Sequence, residues 1–141
     1  MNDFEIGAVV VCDEIRKEIT QKDLLIGVYA GDIVVPQFPI WINVAVWMEV
    51  MPKKLGEEQM RMRISLGGKA IEVNVQLTIN AMTTTAVVLT GLQMHTEATA
   101  DLVIELQDGS DWKVLKRKKV LLGQVTFPYG QLPPVALPPG Q

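Results

Sequence analysis

Hydrophobic and polar positions alternate most regularly between residues 41 and 51. Apolar side chains occupy every second position, namely Ile42, Val44, Val46, Met48 and Val50. This period is typical of a β-strand with one buried face. The opposite face carries Trp41, Asn43, Ala45, Trp47 and Glu49. The pattern therefore predicts a strand that borders the core and places two tryptophans on its outward face.

The most specific local prediction is a hairpin over residues 59 to 79, closed by Gly67 and Gly68. A two-residue Gly-Gly turn of the primed type fixes the register of the two strands. In that register the apolar pairs are Ile64 with Ile71, Met62 with Val73, and Met60 with Val75. On the other face Arg63 lies opposite Glu72, and we expect these two charges to pair.

Shorter apolar runs predict the remaining strands. They cover residues 4 to 12, 24 to 35 with a bulge or turn at Gly31 and Asp32, 86 to 94, 99 to 107, and 112 to 122. Residues 13 to 23 are rich in charge and are interpreted as an exposed connection. About eight strands joined by short turns indicate an all-β fold, an antiparallel two-sheet sandwich of the C2-like or immunoglobulin-like type. We assign residues 1–125 to this domain.

The C-terminal segment, residues 126–141, has a different composition and is interpreted as a proline-rich arm. It contains the triplet Leu-Pro-Pro twice, as Leu132, Pro133 and Pro134 and as Leu137, Pro138 and Pro139. Such a sequence favours an extended polyproline conformation and is excluded from a central strand. Polyproline also packs well on aromatic rings. We therefore predict that Trp41, Trp47 and the two triplets are partner-binding residues.

Two interpretations of the tryptophan face stay open. In the first, the face contacts the arm of the same chain, the arm of a neighbouring copy or another partner. In the second, its strand is central and is covered on both faces by its own domain, for instance by residues 13 to 23. Large aromatic rings left in water usually mark a contact surface, which favours the first interpretation.

Composition excludes several classes of protein. A net charge of −3 argues against general nucleic-acid binding. The N-terminus lacks the basic residues of a signal peptide, and no stretch approaches the roughly 20 apolar residues of a membrane span. The single cysteine, Cys12, forms no intramolecular disulfide. We expect a protein of the cytoplasm or of a virion, without nucleic-acid or membrane partners.

Catalytic machinery is not recognisable in the sequence. The only histidine, His95, has no partner pattern for a nucleophilic triad, and Cys12 lies in an apolar strand. One cysteine and one histidine are too few for zinc. Calcium would need loop carboxylates such as Asp32, Asp108 and Asp111, but aspartate is also the ordinary residue of turns. We therefore expect no enzyme activity, no cofactor and no metal site.

A basic run at residues 116 to 119, Lys-Arg-Lys-Lys, has two interpretations. It protects an edge strand from pairing with other chains, or it binds an anionic partner. The first is the commoner reason for lysines on an edge strand, and we favour it.

The N-terminal half resembles a known family. The residues that carry the resemblance are the run from Cys12 to Arg16, the run from Leu25 to Ile33, and Pro36-Gln37-Phe38-Pro39. They are similar to an uncharacterised family of small β-sandwich proteins from bacteria and their phages, over roughly residues 5 to 125. The resemblance implies an all-β sandwich in a bacterial or phage setting, and it implies no catalytic residues.

These observations predict a non-enzymatic structural or interaction protein. A phage virion accessory protein of the capsid-decoration type fits them, with the arm docked on neighbouring subunits and the chain working as a homo-oligomer or assembly component. The alternative is an intracellular ligand-binding or calcium-binding sandwich of the C2-like type.

Overall fold

A computed structural model describes residues 2–123, and this part of the chain forms nine β-strands. The strands are β1 (Phe4–Lys17), β2 (Asp23–Val28), β3 (Ile33–Val35), β4 (Ile40–Pro52), β5 (Gly56–Leu66), β6 (Lys69–Ile79), β7 (Thr85–Thr96), β8 (Ala100–Asp108) and β9 (Asp111–Leu122). The all-β prediction is confirmed. The segment assigned to the arm, residues 126–141, lies outside the described residues.

The strands form two sheets that pack face to face. The first sheet has the order β2-β1-β4-β7, and the second has the order β3-β9-β8-β5-β6. Neighbouring strands are antiparallel except for the short pair β3–β9, which is parallel. The chain changes sheet between β2 and β3, at the predicted break around Gly31 and Asp32. The two-sheet sandwich is therefore confirmed, with one parallel pair at its side.

The core lies between the sheets. On β4 the predicted apolar stripe is buried throughout, and Val44, Met48 and Val50 have no exposed surface. The second sheet contributes side chains of equal burial, including Met62 and Ile104. Because each fully buried aliphatic side chain contributes about 1.5–3 kcal/mol, this two-sided layer accounts for the stability of a fold without disulfides.

The Gly-Gly hairpin has the predicted geometry. Gly67 and Gly68 have φ values of 60° and 82°, as a primed turn requires. Ile64 pairs with Ile71, and Arg63 lies opposite Glu72, as the sequence indicates. The expected Arg63–Glu72 ion pair is wrong, however.

Each of these two charges has a different partner. Arg63 donates two hydrogen bonds to Glu105 on β8, with its Nε at 3.0 Å, and Glu72 pairs with Arg61 at 2.8 Å. Trp112 on β9 explains part of this preference, because its ring lies 4.2 Å from the guanidinium of Arg63. The ring and Glu105 together hold the arginine over the second sheet.

The interpretation of residues 13 to 23 as an exposed connection is wrong. β1 continues to Lys17 and pairs with β2, so the charged stretch forms most of a hairpin. An ion pair of 2.7 Å joins Lys17 to Asp23 across it. Charged residues form a strand here because backbone pairing with β2 stabilises it. Both faces of the hairpin remain partly exposed to solvent, so the charges stay hydrated.

Two strands contain the bulges that their glycines suggest. The register of β1 against β4 shifts between Ile6 and Val9, around Gly7. The register of β7 against β4 shifts next to Gly91, which has a φ of 72°. A third shift, on β9 near Leu115, has no glycine to mark it. It places Asp101 opposite Lys119, and the carboxylate of Asp101 pairs with Arg117.

Candidate partner-binding surfaces

Trp41, near the start of β4, is the most exposed aromatic side chain of the described residues, with 66% of its surface in water. Its cross-strand neighbour on β7 is His95, and the two ring centroids lie 4.8 Å apart at an interplanar angle of 48°. The imidazole is thereby mostly covered, with 18% of its side chain exposed. We call Trp41 and His95 the Trp41 platform. It is a fixed aromatic surface, because the ring contact restricts the tryptophan while its outer side stays open.

Trp47 has a different environment from Trp41, although both belong to the outward face of β4. Its ring is half-buried, and its Nε1 donates a hydrogen bond of 3.0 Å to Oδ2 of Asp23. Asp23 also pairs with Lys17, and the pKa of its carboxyl is lowered by Lys17 and then by the indole. The β1–β2 hairpin thus covers part of Trp47, as the second interpretation of this face expects, and leaves Trp41 open.

The predicted arm residues Leu132, Pro133, Pro134, Leu137, Pro138 and Pro139 lie outside the described residues. The last described residue, Gly123, donates its backbone N–H to the carbonyl of Val35 at 3.1 Å. Val35 ends β3, and β4 begins five positions later at Ile40. The described part of the chain therefore ends close to the segment that leads into Trp41.

An apolar stripe on β2 was not identified from the sequence. Leu24, Ile26 and Val28 share one face and are 43%, 41% and 49% exposed. β2 is also an edge strand of the first sheet. The sequence gives no signal for it, because residues 24 to 28 are apolar at every position except Gly27 and so do not alternate. An exposed apolar edge strand of this kind is a template for pairing with another chain.

The candidate nucleophile and base are far from forming a catalytic group. Cys12 is completely buried on β1, where burial raises the pKa of its thiol, and its Sγ donates to the carbonyl of Glu14. His95 lies on β7, at the opposite edge of the first sheet from β2. The ring of His95 contacts Trp41 and not a nucleophile.

The three aspartates considered for calcium do not lie at one end of the sandwich. Asp108 and Asp111 face each other at the β8–β9 turn. Asp32 directly precedes Ile33, which pairs with Val120 at the other end of β9. At about 3.3 Å per residue, the two ends of β9 are roughly 30 Å apart. Within residues 2–123, no three His, Cys, Asp or Glu side chains are grouped so that they could hold a metal ion.

A polar cleft of about 540 Å³ lies on the outer face of the first sheet, between the β1–β2 hairpin on one side and β4 and β7 on the other. Its carboxylates come from Asp13 and Glu14. Asp13 accepts a hydrogen bond from the hydroxyl of Tyr29, and Glu14 pairs with Arg16 at 2.7 Å. Burial and Asp13 raise the pKa of the Tyr29 hydroxyl, so that it stays a donor. These contacts hold the base of the hairpin and leave both carboxylates engaged.

The part of the chain that the structure describes contains no helix long and apolar enough to cross a membrane. No protein-family model matches the chain, and no curated protein is significantly similar to it. The resemblance to a bacterial and phage family therefore stays a prediction.

Proposed function

We propose that the protein is a non-enzymatic structural module that assembles through its C-terminal arm. In this proposal the arm, residues 126–141, docks on the Trp41 platform of a neighbouring subunit. The observation that carries it is the exposure of Trp41, since a tryptophan that is two-thirds in water leaves a large apolar area uncovered.

The chemistry of the arm fits this surface. Residues 126–141 carry no charged side chain and contain two Leu-Pro-Pro triplets. A polyproline segment loses little conformational entropy on docking, and it packs its pyrrolidine rings and leucines on aromatic groups. The Trp41 platform offers such a group in a fixed orientation, because His95 supports the ring from the neighbouring strand.

The geometry of the chain permits docking on another subunit. An extended segment of 16 residues at about 3.1 Å per residue spans roughly 50 Å, more than the width of the sandwich. The described chain ends at Gly123, beside the segment that leads into Trp41. Arms and platforms on adjacent copies are therefore within mutual reach.

The setting we propose is a phage virion, with the protein as an accessory of the capsid-decoration type. The support for this setting is the resemblance of residues 5 to 125 to the bacterial and phage family. A compact sandwich that carries an extended arm also suits a protein that ties neighbouring subunits together.

Sedimentation velocity on the full chain tests the proposal. We expect the wild type to associate in a concentration-dependent way. Trp41→Ala should shift it to monomer, and so should the arm variant with Pro133, Pro134, Pro138 and Pro139 changed to glycine. Met82→Ala is the matched control, because Met82 is 55% exposed and lies away from the platform in sequence.

The combination of Trp41→Ala with the arm variant separates one interface from two. If the arm and the platform bind each other, the combined variant should associate no more weakly than Trp41→Ala alone or the arm variant alone. A wild type that stays monomeric, or an arm variant that associates like the wild type, would show that the arm does not build the assembly.

A further inference from the structure

Within residues 2–123, one edge of β9 is unpaired along most of its length. β3 pairs with β9 only at residues 120 to 122, and no other described strand occupies that side of β9 between Trp112 and Lys119. The other side of β9 pairs with β8 from Asp111 to Val120, apart from the bulge at Leu115. This leaves a row of backbone N–H and C=O groups available to an added strand.

Three lysines on this edge point toward the inner side of the second sheet. Lys113, Lys116 and Lys118 lie opposite Leu106, Ile104 and Leu102, and all three leucine or isoleucine partners are buried in the core. Directly opposed residues of an antiparallel pair project to the same face. Lys116 and Lys118 are half-buried, as their position beside the core requires. They reach solvent through the side opening between the two sheets.

These lysines are not neutralised by the described chain. The nearby ion pair on β9 is formed by Arg117, which projects to the outer face and binds Asp101 at 3.1 Å. Lys113, Lys116 and Lys118 form no ion pair with any residue between 2 and 123. Lys113 also lines a mixed groove of about 340 Å³ between β1 and β9, whose wall contains Ile6 and Leu115 together with Glu5, Asp108 and Lys53. Positive charge and an unpaired backbone edge thus coincide on β9.

We propose that this edge of β9 binds an extended acidic peptide, which adds to the second sheet as a further strand. Acidic side chains at alternate positions lie beside Lys113, Lys116 and Lys118. The intervening side chains lie on the outer face beside Val114, which is 44% exposed. The recognised partner is therefore a segment that alternates acidic and apolar residues, and backbone pairing supplies the remaining affinity.

Two other occupants fit the edge less well. The C-terminal segment of this chain, residues 124–141, carries no charge and has five prolines, which cannot donate to a ladder. A second copy that paired β9 with β9 would bring the lysine rows together, and like charges disfavour that contact. The proposed site is separate from the Trp41 platform, and its test does not depend on the arm.

Fluorescence anisotropy with the full chain tests the proposal. The probe is a labelled peptide of about eight residues that alternates valine and glutamate. We expect saturable binding that weakens as salt is added. Lys116→Glu combined with Lys118→Glu should weaken it about tenfold or more. Lys22→Glu combined with Lys69→Glu makes the same change in net charge on exposed lysines elsewhere and should leave binding unchanged.

Three comparison probes identify the mode of binding. A valine–lysine peptide should not bind. A valine–glutamate peptide with alternate backbone nitrogens methylated should bind about tenfold more weakly or worse, because its donors are blocked. Amide hydrogens of residues 112 to 119 should exchange more slowly when the unmodified peptide is present.

Several outcomes would overturn the proposal. Absence of binding would show that the lysines only protect the edge. Equal binding of the methylated peptide would show charge attraction without strand addition. Binding of a single-stranded oligonucleotide that is lost in the Lys116, Lys118 variant, with no peptide binding, would assign the edge to nucleic acid instead.

Discussion

Trp47 and Asp23 are joined by a hydrogen bond although they belong to the centre and the edge of the first sheet. On β1, Val10 lies opposite Trp47. Lys17, near the far end of the β1–β2 hairpin, lies opposite Asp23. The contact shows that this hairpin curls back over the outer face of the sheet. Through this hydrogen bond Asp23 holds the hairpin over Trp47 and limits the exposure of that ring to solvent.

Replacing Asp23 with alanine should expose Trp47. In a Trp41→Phe, Trp112→Phe background Trp47 is the single emitter, and we expect its fluorescence to shift to longer wavelength and to become more quenchable by iodide. The reason is that the indole N–H loses its acceptor and the hairpin loses its anchor. Asp32→Ala is the control, since Asp32 is exposed outside the hairpin. An unchanged spectrum in Asp23→Ala would contradict the anchoring role.

The contribution of Asp23 to stability should depend on pH. Its pKa is lowered in the folded protein, first by Lys17 and then by Trp47. A carboxyl with a lowered folded pKa stabilises the fold fully above its unfolded pKa of about 3.9, and this contribution is lost as pH falls through the lower folded value. The difference in unfolding free energy between wild type and Asp23→Asn should therefore be constant near neutral pH and shrink below about pH 4.

Urea unfolding at a series of pH values measures this difference. Repeating the comparison in a Lys17→Met background provides the control, because it removes the main cause of the shift. If the difference in unfolding free energy between wild type and Asp23→Asn grew as pH falls, its pH dependence would have the opposite sign. That result would contradict a lowered pKa of Asp23 in the folded protein.

Elements with a strict alternation and a defined turn were predictable from the sequence. The register of the Gly67–Gly68 hairpin follows from the turn, because a slip of one residue would move Met62 and Ile64 into water. The apolar stripe of β4 follows from the same alternation. For these elements the local pattern and the packing of the sheets require the same register.

The β1–β2 hairpin and the inward lysines were not predictable in the same way. Residues 13 to 23 alternate weakly, because both faces of that hairpin are partly wet and backbone pairing holds it. The run from Lys116 to Lys119 gives no sign of which lysines face inward. That choice depends on the shift near Leu115, which has no glycine to mark it. The exposure of Trp41 and the partial cover of Trp47 depend on how the hairpin curls, which no local pattern encodes.

Arg63 should couple more strongly to Glu105 than to Glu72. It makes two hydrogen bonds to Glu105, whereas Glu72, its directly opposed residue, pairs with Arg61. We expect a double-mutant cycle on urea unfolding, with Arg63→Met and Glu105→Gln, to give the larger interaction energy. The matched cycle with Arg63→Met and Glu72→Gln should give a value near zero or clearly smaller. Equal coupling in the two cycles would favour the opposed pair that the sequence suggests.

Valine at either glycine of the β5–β6 turn should destabilise the fold by about 1–3 kcal/mol, because both positions need positive φ. The larger loss is expected for Gly67→Val, since an added Cβ there lies 3.2 Å from Oγ1 of Thr96, whereas the space around Gly68 is open. Gly68→Asn should cost less than Gly68→Val, because asparagine tolerates the left-handed region. Gly31→Val is the control and should change the unfolding free energy by less than about 0.5 kcal/mol, since Gly31 has open space and no positive φ. Urea unfolding of the four variants measures the order, and native stability in Gly67→Val would show that this turn does not constrain the hairpin.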